Sequence, residues 1–186
     1  MKHHHYEFVG AILLGMIFLA LSLSSGSAST EKKHFDNGEV SFDYPAQWQQ
    51  TTLSDSKMVG LENPQSGLKL SVSSQLVPQG WVKPENFINN LSESGEYSFK
   101  LLKSEKISIN GTVAYQNTYE FKNNQSTSQI KEVWLEKNNA IYSIIFINPL
   151  GDMEDFMGTL AYRDQQEIKM VLESFSVHDF QHQDDE

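Results

Sequence analysis

The 186-residue chain contains no cysteine. Disulfide scaffolds, thiol nucleophiles and thiolate sites for zinc or iron–sulfur clusters are therefore excluded. Arginine is almost as scarce. Of 14 basic residues only Arg163 is not lysine, set against 24 acidic residues for a formal net charge of −10. So acidic a surface is poorly matched to a phosphate backbone, and nucleic acid is not expected as a partner. The chain also lacks G-x-S-x-G, G-x-G-x-x-G and the P-loop, which removes the usual signatures of a nucleophile elbow, a dinucleotide site and a nucleotide triphosphate site. No histidine stands between His34 and His178, so hydrolytic nucleophile–base pairs are hard to build. No motif calls for a cofactor. Internal repeats and low-complexity blocks are absent as well.

What is present is aromatic: eleven Phe, seven Tyr and three Trp, too many for a disordered chain and enough for the core of one ordinary domain. The most specific local signal is N-terminal. Behind Lys2 and a polar start that includes His3, His4 and His5, residues Phe8 to Leu23 run almost wholly apolar. This stretch is shorter than the roughly 20 residues that span a hydrocarbon core untilted. Small residues follow, with Gly26 and Ala28 placed for a small-x-small cleavage site. Two readings fit, a cleaved signal peptide or a retained membrane anchor over residues 1–29. Without a cysteine after the apolar run, a lipid-anchored lipoprotein is excluded. In either reading the rest of the chain is expected outside the cytoplasm: a linker over 30–34, a folded domain over 35–178, and an acidic tail over 179–186.

Within the domain, Val40, Phe42 and Tyr44 alternate with polar residues until Pro45, and Leu68, Leu70 and Val72 do so after a turn at Asn63–Gly67. Pro84 opens a short helical pattern that Gly95 ends. Asn110-Gly111 between Ile107–Ile109 and Thr112–Tyr115 is the strongest hairpin signal, since both residues accept the positive φ of a type I′ turn. A two-residue loop would set Ile109 opposite Thr112 and place the apolar sets of the two strands on opposite faces. Either both faces of the sheet are covered or the loop is longer. Strands are further expected from Val113 to Phe121, Ile130 to Glu136 and Ile141 to Ile147. The last of these, IYSIIFI, is apolar on both faces, as suits a central strand between layers. Ile168, Val171, Leu172 and Phe175 form one helical stripe. The fold class is α+β, with a mainly antiparallel sheet of about six strands and helices packed on it.

Several segments resemble PsbP-like domains: Gly38-x-x-Ser41-Phe42-x-Tyr44-Pro45-x-x-Trp48, Ile109-Asn110-Gly111-x-x-Ala114-Tyr115, Tyr142-Ser143-Ile144-Ile145-Phe146, and a closing helix ending Glu173-Ser174-Phe175. The likeness runs from Phe35 to Val177. It implies an α/β/α sandwich and a non-catalytic accessory or binding role, with a protein partner at the outer membrane surface. No metal-binding motif of the photosynthetic members can be placed on this chain.

Candidate chemistry is sparse. His178 and His182, four apart beside Asp179, Asp184 and Asp185, are weak metal candidates. Glu132 and Glu136 flank Trp134 on one strand face, loosely the arrangement of a glycan hydrolase, and equally that of a solvated outer face. Because Val133 and Leu135 are the natural core residues, Trp134 is expected to point outward among charges. With Trp81 it is a candidate protein contact, the alternative being burial under a loop or helix. Trp48 is expected in the core. Asn90, Asn110 and Asn124 open glycosylation sequons, with Asn124 in the turn that reads as most exposed. A third functional reading is a carrier, holding a small apolar ligand between sheet and helix in a pocket lined by Tyr115, Tyr119 and Phe121.

Overall fold

The computed structural model describes residues 31–51, 59–77, 79, 97–123, 126–150 and 160–179. The N-terminal segment 1–29, the helical pattern after Pro84, Trp81, Asn90, Asn124 and His182 lie outside the described residues. Among the described residues ten strands form two sheets. In the larger, β3 (Gln49–Thr51), β4 (Val59–Glu62), β5 (Lys69–Leu76), β9 (Ala140–Leu150), β8 (Thr127–Lys137), β7 (Thr112–Asn123) and β6 (Tyr97–Ile109) lie side by side in that order, all antiparallel. In the smaller, β2 (Val40–Pro45) is flanked by β1 (Lys32–Asp36) and β10 (Ser176–Val177). One described helix, α1 (Leu160–Ser174), precedes β10.

The two-faced apolar strand takes the central place. β9 has three strands on either side, and along it Tyr142, Ile144 and Phe146 alternate with Ile141, Ile145 and Ile147, all buried. On one face Tyr142, Ile144 and Phe146 meet Leu135 and Val133 of β8 and Leu70 and Val72 of β5. The same core takes in Ile168, Val171 and Phe175, the predicted stripe, and Phe42 of the small sheet. Phe42 and Phe175 stack with ring centroids 6.1 Å apart. This is the helix-side face. The opposite face is buried too, through Ile130, Tyr119, Phe121, Ile145 and Trp134.

The number of strands exceeds the expected six, and the reasons are local. β3, β4 and β10 are too short to show a period. In β6 the pairing register shifts between Leu101 and Lys103, so Leu102 is an extra residue, 48% exposed, that breaks the alternation. The stretch 30–34, expected as a linker, enters the small sheet at Lys32, which pairs with Pro45.

The Asn110-Gly111 hairpin forms as a two-residue loop. Ile109 stands opposite Thr112 and Ser108 opposite Val113, with φ of 45° at Asn110 and 78° at Gly111. The β8–β9 turn repeats the conformation with asparagines alone, Asn138 at 54° and Asn139 at 58°. Both turns also hold the chain that leaves α1. Asn110 Nδ2 donates to the Phe175 carbonyl at 2.7 Å, Asn138 Nδ2 to that of His178 at 2.9 Å, and Lys137 Nζ to that of Val177 at 2.8 Å. A Cβ at Gly111 would meet nothing within 4 Å, so only the backbone conformation resists substitution there. Gly111→Val is expected to cost about 1–2 kcal/mol in chemical denaturation, whereas Gly111→Asn, which copies the β8–β9 turn, should cost less than half as much. Equal losses would refute the positive-φ origin of the effect.

Candidate functional site

Alternation along β8 sends successive residues to opposite faces, and the two faces carry different chemistry. On the face away from α1, Glu132 is 4% exposed. Tyr119 OH donates to its Oε2 at 3.2 Å and Asn117 Nδ2 to the same oxygen at 3.3 Å, while Ser104 Oγ donates to Asn117 Oδ1 at 2.8 Å. The result is a polar rung across β6, β7 and β8. Burial lifts the Glu132 carboxyl above the usual carboxylate range, with the two hydrogen bonds pulling the other way. Burial, and then the nearby Glu132 charge, push the Tyr119 hydroxyl up.

Trp134 lies on the same face and corrects an expectation. It is 2% exposed and stacks on Tyr115, with centroids 4.5 Å apart and planes at 15°. Strand parity placed it opposite Val133 and Leu135 as expected, but the face it occupies is covered and it does not reach solvent. As a surface contact it is withdrawn, and the open, charged face imagined for Glu132, Trp134 and Glu136 is withdrawn with it. The pocket expected from Tyr115, Tyr119 and Phe121 meets the same correction. Tyr115 is taken up by Trp134, Phe121 packs on Phe99 at 4.8 Å, and Tyr119 is occupied by Glu132.

On the helix-side face, sequence reasoning missed a second carboxylate. Glu167 is buried on α1 and accepts from Trp48 Nε1 at 3.0 Å, Asn63 Nδ2 at 2.8 Å and Gln47 Nε2 at 3.1 Å. These bonds fasten α1 to the turns that precede β3 and β5. Carrying the 168/171/175 stripe one turn back would have found Glu167, because position 167 falls on the buried side. Trp48, 2% exposed, is a core residue as expected.

Toward β6, the helix and sheet draw apart. A cavity of about 400 Å³ opens between Ile168 and Leu172 of α1 and Ile107, Ile109 and Gln116 of the sheet. A second, of about 270 Å³, lies between Asp164 of α1 and Gln129 and Asn148 of β8 and β9. Lys131, Gln165 and Ile168 line both. Lys131 stands in one cross-strand row with Thr118 and Phe146 and is half-buried. Burial depresses its ammonium below the usual lysine range, Glu105 opposing this and Lys103 adding to it.

The remaining candidates scatter. His178 Nε2 lies 3.6 Å from Asp36 Oδ1, and His34 Nδ1 lies 2.8 Å from Asp43 Oδ1, an oxygen pair that Lys32 also engages. Among the described residues no three His, Asp or Glu side chains assemble as a metal site. Among those same residues no helix is long and apolar enough to cross a membrane. The amide nitrogen of Asn110, the atom that a glycan would take, donates to Phe175.

A seven-stranded antiparallel sheet with a helix laid across one face and a small three-stranded sheet beside it defines the architecture. No protein-family model and no curated protein sequence matches the chain. Solved structures do. Mog1p of Saccharomyces cerevisiae, a Ran-binding protein, aligns with a TM-score of 0.59 and 11% identity, over 80% of this chain and 96% of its own. Cyanobacterial PsbP from Synechocystis sp. PCC 6803 aligns with a TM-score of 0.54 and 15% identity, over 85% of this chain and 99% of its own. A protein of Bacteroides thetaiotaomicron VPI-5482 aligns at 0.51 and 12% identity, over 75% of this chain and 45% of its own. The chain has the PsbP/Mog1 fold, which bears out the expected architecture at the level of fold.

Two measurements check this account of the buried face. Trp134→Ala should cost about 3–5 kcal/mol of stability, as for a large core side chain, and near-normal melting would return Trp134 to the surface. Glu132→Gln keeps an acceptor for Tyr119 and Asn117 but removes the charge. The folded protein holds the Glu132 proton to higher pH than the unfolded chain does. Stability from this group is therefore full below the unfolded carboxylate range, about pH 4, and is lost as pH rises through the lifted value. The variant should be the more stable at pH 8, by roughly 1–3 kcal/mol, with the gap closing toward pH 4. Parallel melting curves across that range would contradict the lifted carboxyl.

Proposed function

We propose that the chain is an exported, PsbP-like, non-catalytic binding domain whose partner is another protein at the outer face of a membrane. In this reading residues 8–23 either direct export and are removed, or stay as the anchor. The observation that carries it is the fold held in common with Mog1p, a Ran-binding protein, over nearly that protein's whole length. The commitments of the carboxylates support it. Glu132 and Glu167 are each buried and hydrogen-bonded within the fold, where a substrate cannot reach them. The test is fractionation and cross-linking of the native protein. It should appear either membrane-bound after carbonate washing or shortened to begin near Ser29, and one stoichiometric partner should follow it through purification. Full-length protein free in the cytosol would overturn the reading.

A second reading, a carrier of a small ligand between sheet and helix, is favoured by one observation. The two cavities beside α1 meet at a shared set of residues instead of closing on packed core. The larger, of about 400 Å³, is by itself of the size that holds small molecules, about 300–1,000 Å³.

A further inference from the structure

The cleft beside α1 contains a cation without a direct partner among the described residues. Among the described residues the Lys131 ammonium has no hydrogen bond and no ion pair, although it is half-buried between two cavities. The carboxylate that acts on it electrostatically, Glu105, is already occupied: it pairs with Lys103 at 2.7 Å and accepts from Gln116 Nε2 at 2.5 Å. Lys169 and Glu173, which also line the larger cavity, balance each other at 3.6 Å. Asp164, in the smaller cavity, is 2% exposed and holds interactions of its own. A half-buried cation with no direct ion-pair partner is costly unless something supplies one, and burial depresses the ammonium despite the Glu105 charge.

Ile107 and Ile109 from β6 and Ile168 and Leu172 from α1 supply the apolar part of a lining that is otherwise polar. A cation without a direct partner beside four aliphatic side chains suits an amphipathic occupant. We infer that the larger cavity binds a small molecule with a single carboxylate and an aliphatic body, its carboxylate on Lys131 Nζ beside the Gln165 amide and its body between Ile107, Ile109 and Leu172. The inference rests on the carrier reading and gives it a ligand class. A charge-assisted hydrogen bond at Lys131 would supply the missing counter-ion, and burial of the body would contribute in proportion to the apolar area removed from water.

The experiment titrates the full chain with sodium octanoate and, separately, with octan-1-ol, following ¹³C-methyl signals of labelled isoleucine. Octanoate should shift the Ile107, Ile109 and Ile168 methyls and bind at least tenfold more tightly than octanol. Lys131→Met, which keeps the aliphatic stem, should abolish that preference, and Lys131→Arg should retain it. The arginine variant keeps the test meaningful if the methionine variant folds poorly. Equal binding of octanoate and octanol, unchanged by Lys131→Met, would overturn the carboxylate inference and leave the carrier reading standing. Failure of both ligands to move these methyls would overturn the two together.

Discussion

A strand that is apolar on both faces must be covered on both, and β9 imposes that condition on everything around it. Its two side-chain rows, Tyr142–Ile144–Phe146 and Ile141–Ile145–Ile147, bury equally well, so the sheet cannot use one face as a solvent surface. The neighbours inherit the requirement. On β8, both Val133 and Trp134 are buried, and on β7 both Ala114 and Tyr119. Polar groups carried into these layers must then find partners inside the protein, which accounts for the Ser104–Asn117–Glu132–Tyr119 rung and for the three donors gathered on Glu167.

The same demand shapes the cleft. α1 is drawn toward β4 and β5 by its Glu167 bonds to Trp48 and Asn63, and toward β2 by Ser174, whose hydroxyl accepts from the Asp43 amide at 2.8 Å. A helix held at its middle and its C-terminal end over that half of the sheet covers β6 and β7 only in part, around Ile109 and Ala114. The helix-side face there carries Lys103, Glu105, Gln116 and Thr118 instead of a continuous apolar row. The cavities therefore lie along the line where covered sheet gives way to uncovered sheet.

How much of this is legible in the amino-acid sequence depends on the kind of signal. Local chemistry reads well: Asn110-Gly111 dictates its turn, IYSIIFI its central place, and the 168/171/172/175 spacing its buried helix face, because each constraint is complete within a few residues. The covering of the second face reads poorly. The offset apolar sets of the Asn110-Gly111 hairpin pointed to it, although Val113 itself is 45% exposed, and acids beside Trp134 look the same whether they face water or a partner layer. Glu132 and Glu136 are the same residue type four positions apart on one strand face, and only cross-strand neighbours such as Asn117 and Tyr119 distinguish the buried one. The significance of Lys131 lies wholly in what stands across from it, namely Thr118 and Phe146. β6 was hidden by its own bulge.

The face alternation of β8 also guards against misalignment. Lys131 and Glu132 are adjacent in the chain but project to opposite sides of the sheet. A slip of β8 by a single residue would carry the lysine ammonium into the layer of Tyr119 and Ile130's present neighbours, and bring the indole of Trp134 out beside α1. Apolar residues alone would tolerate such an exchange, since Val133, Trp134 and Leu135 are buried whichever way they point. The penalty comes from the charges, because an ammonium has no acceptor prepared for it where Asn117 and Tyr119 now offer donors. In a sheet whose hydrophobic pattern is nearly indifferent to register, one acid and one base in succession act as the alignment mark.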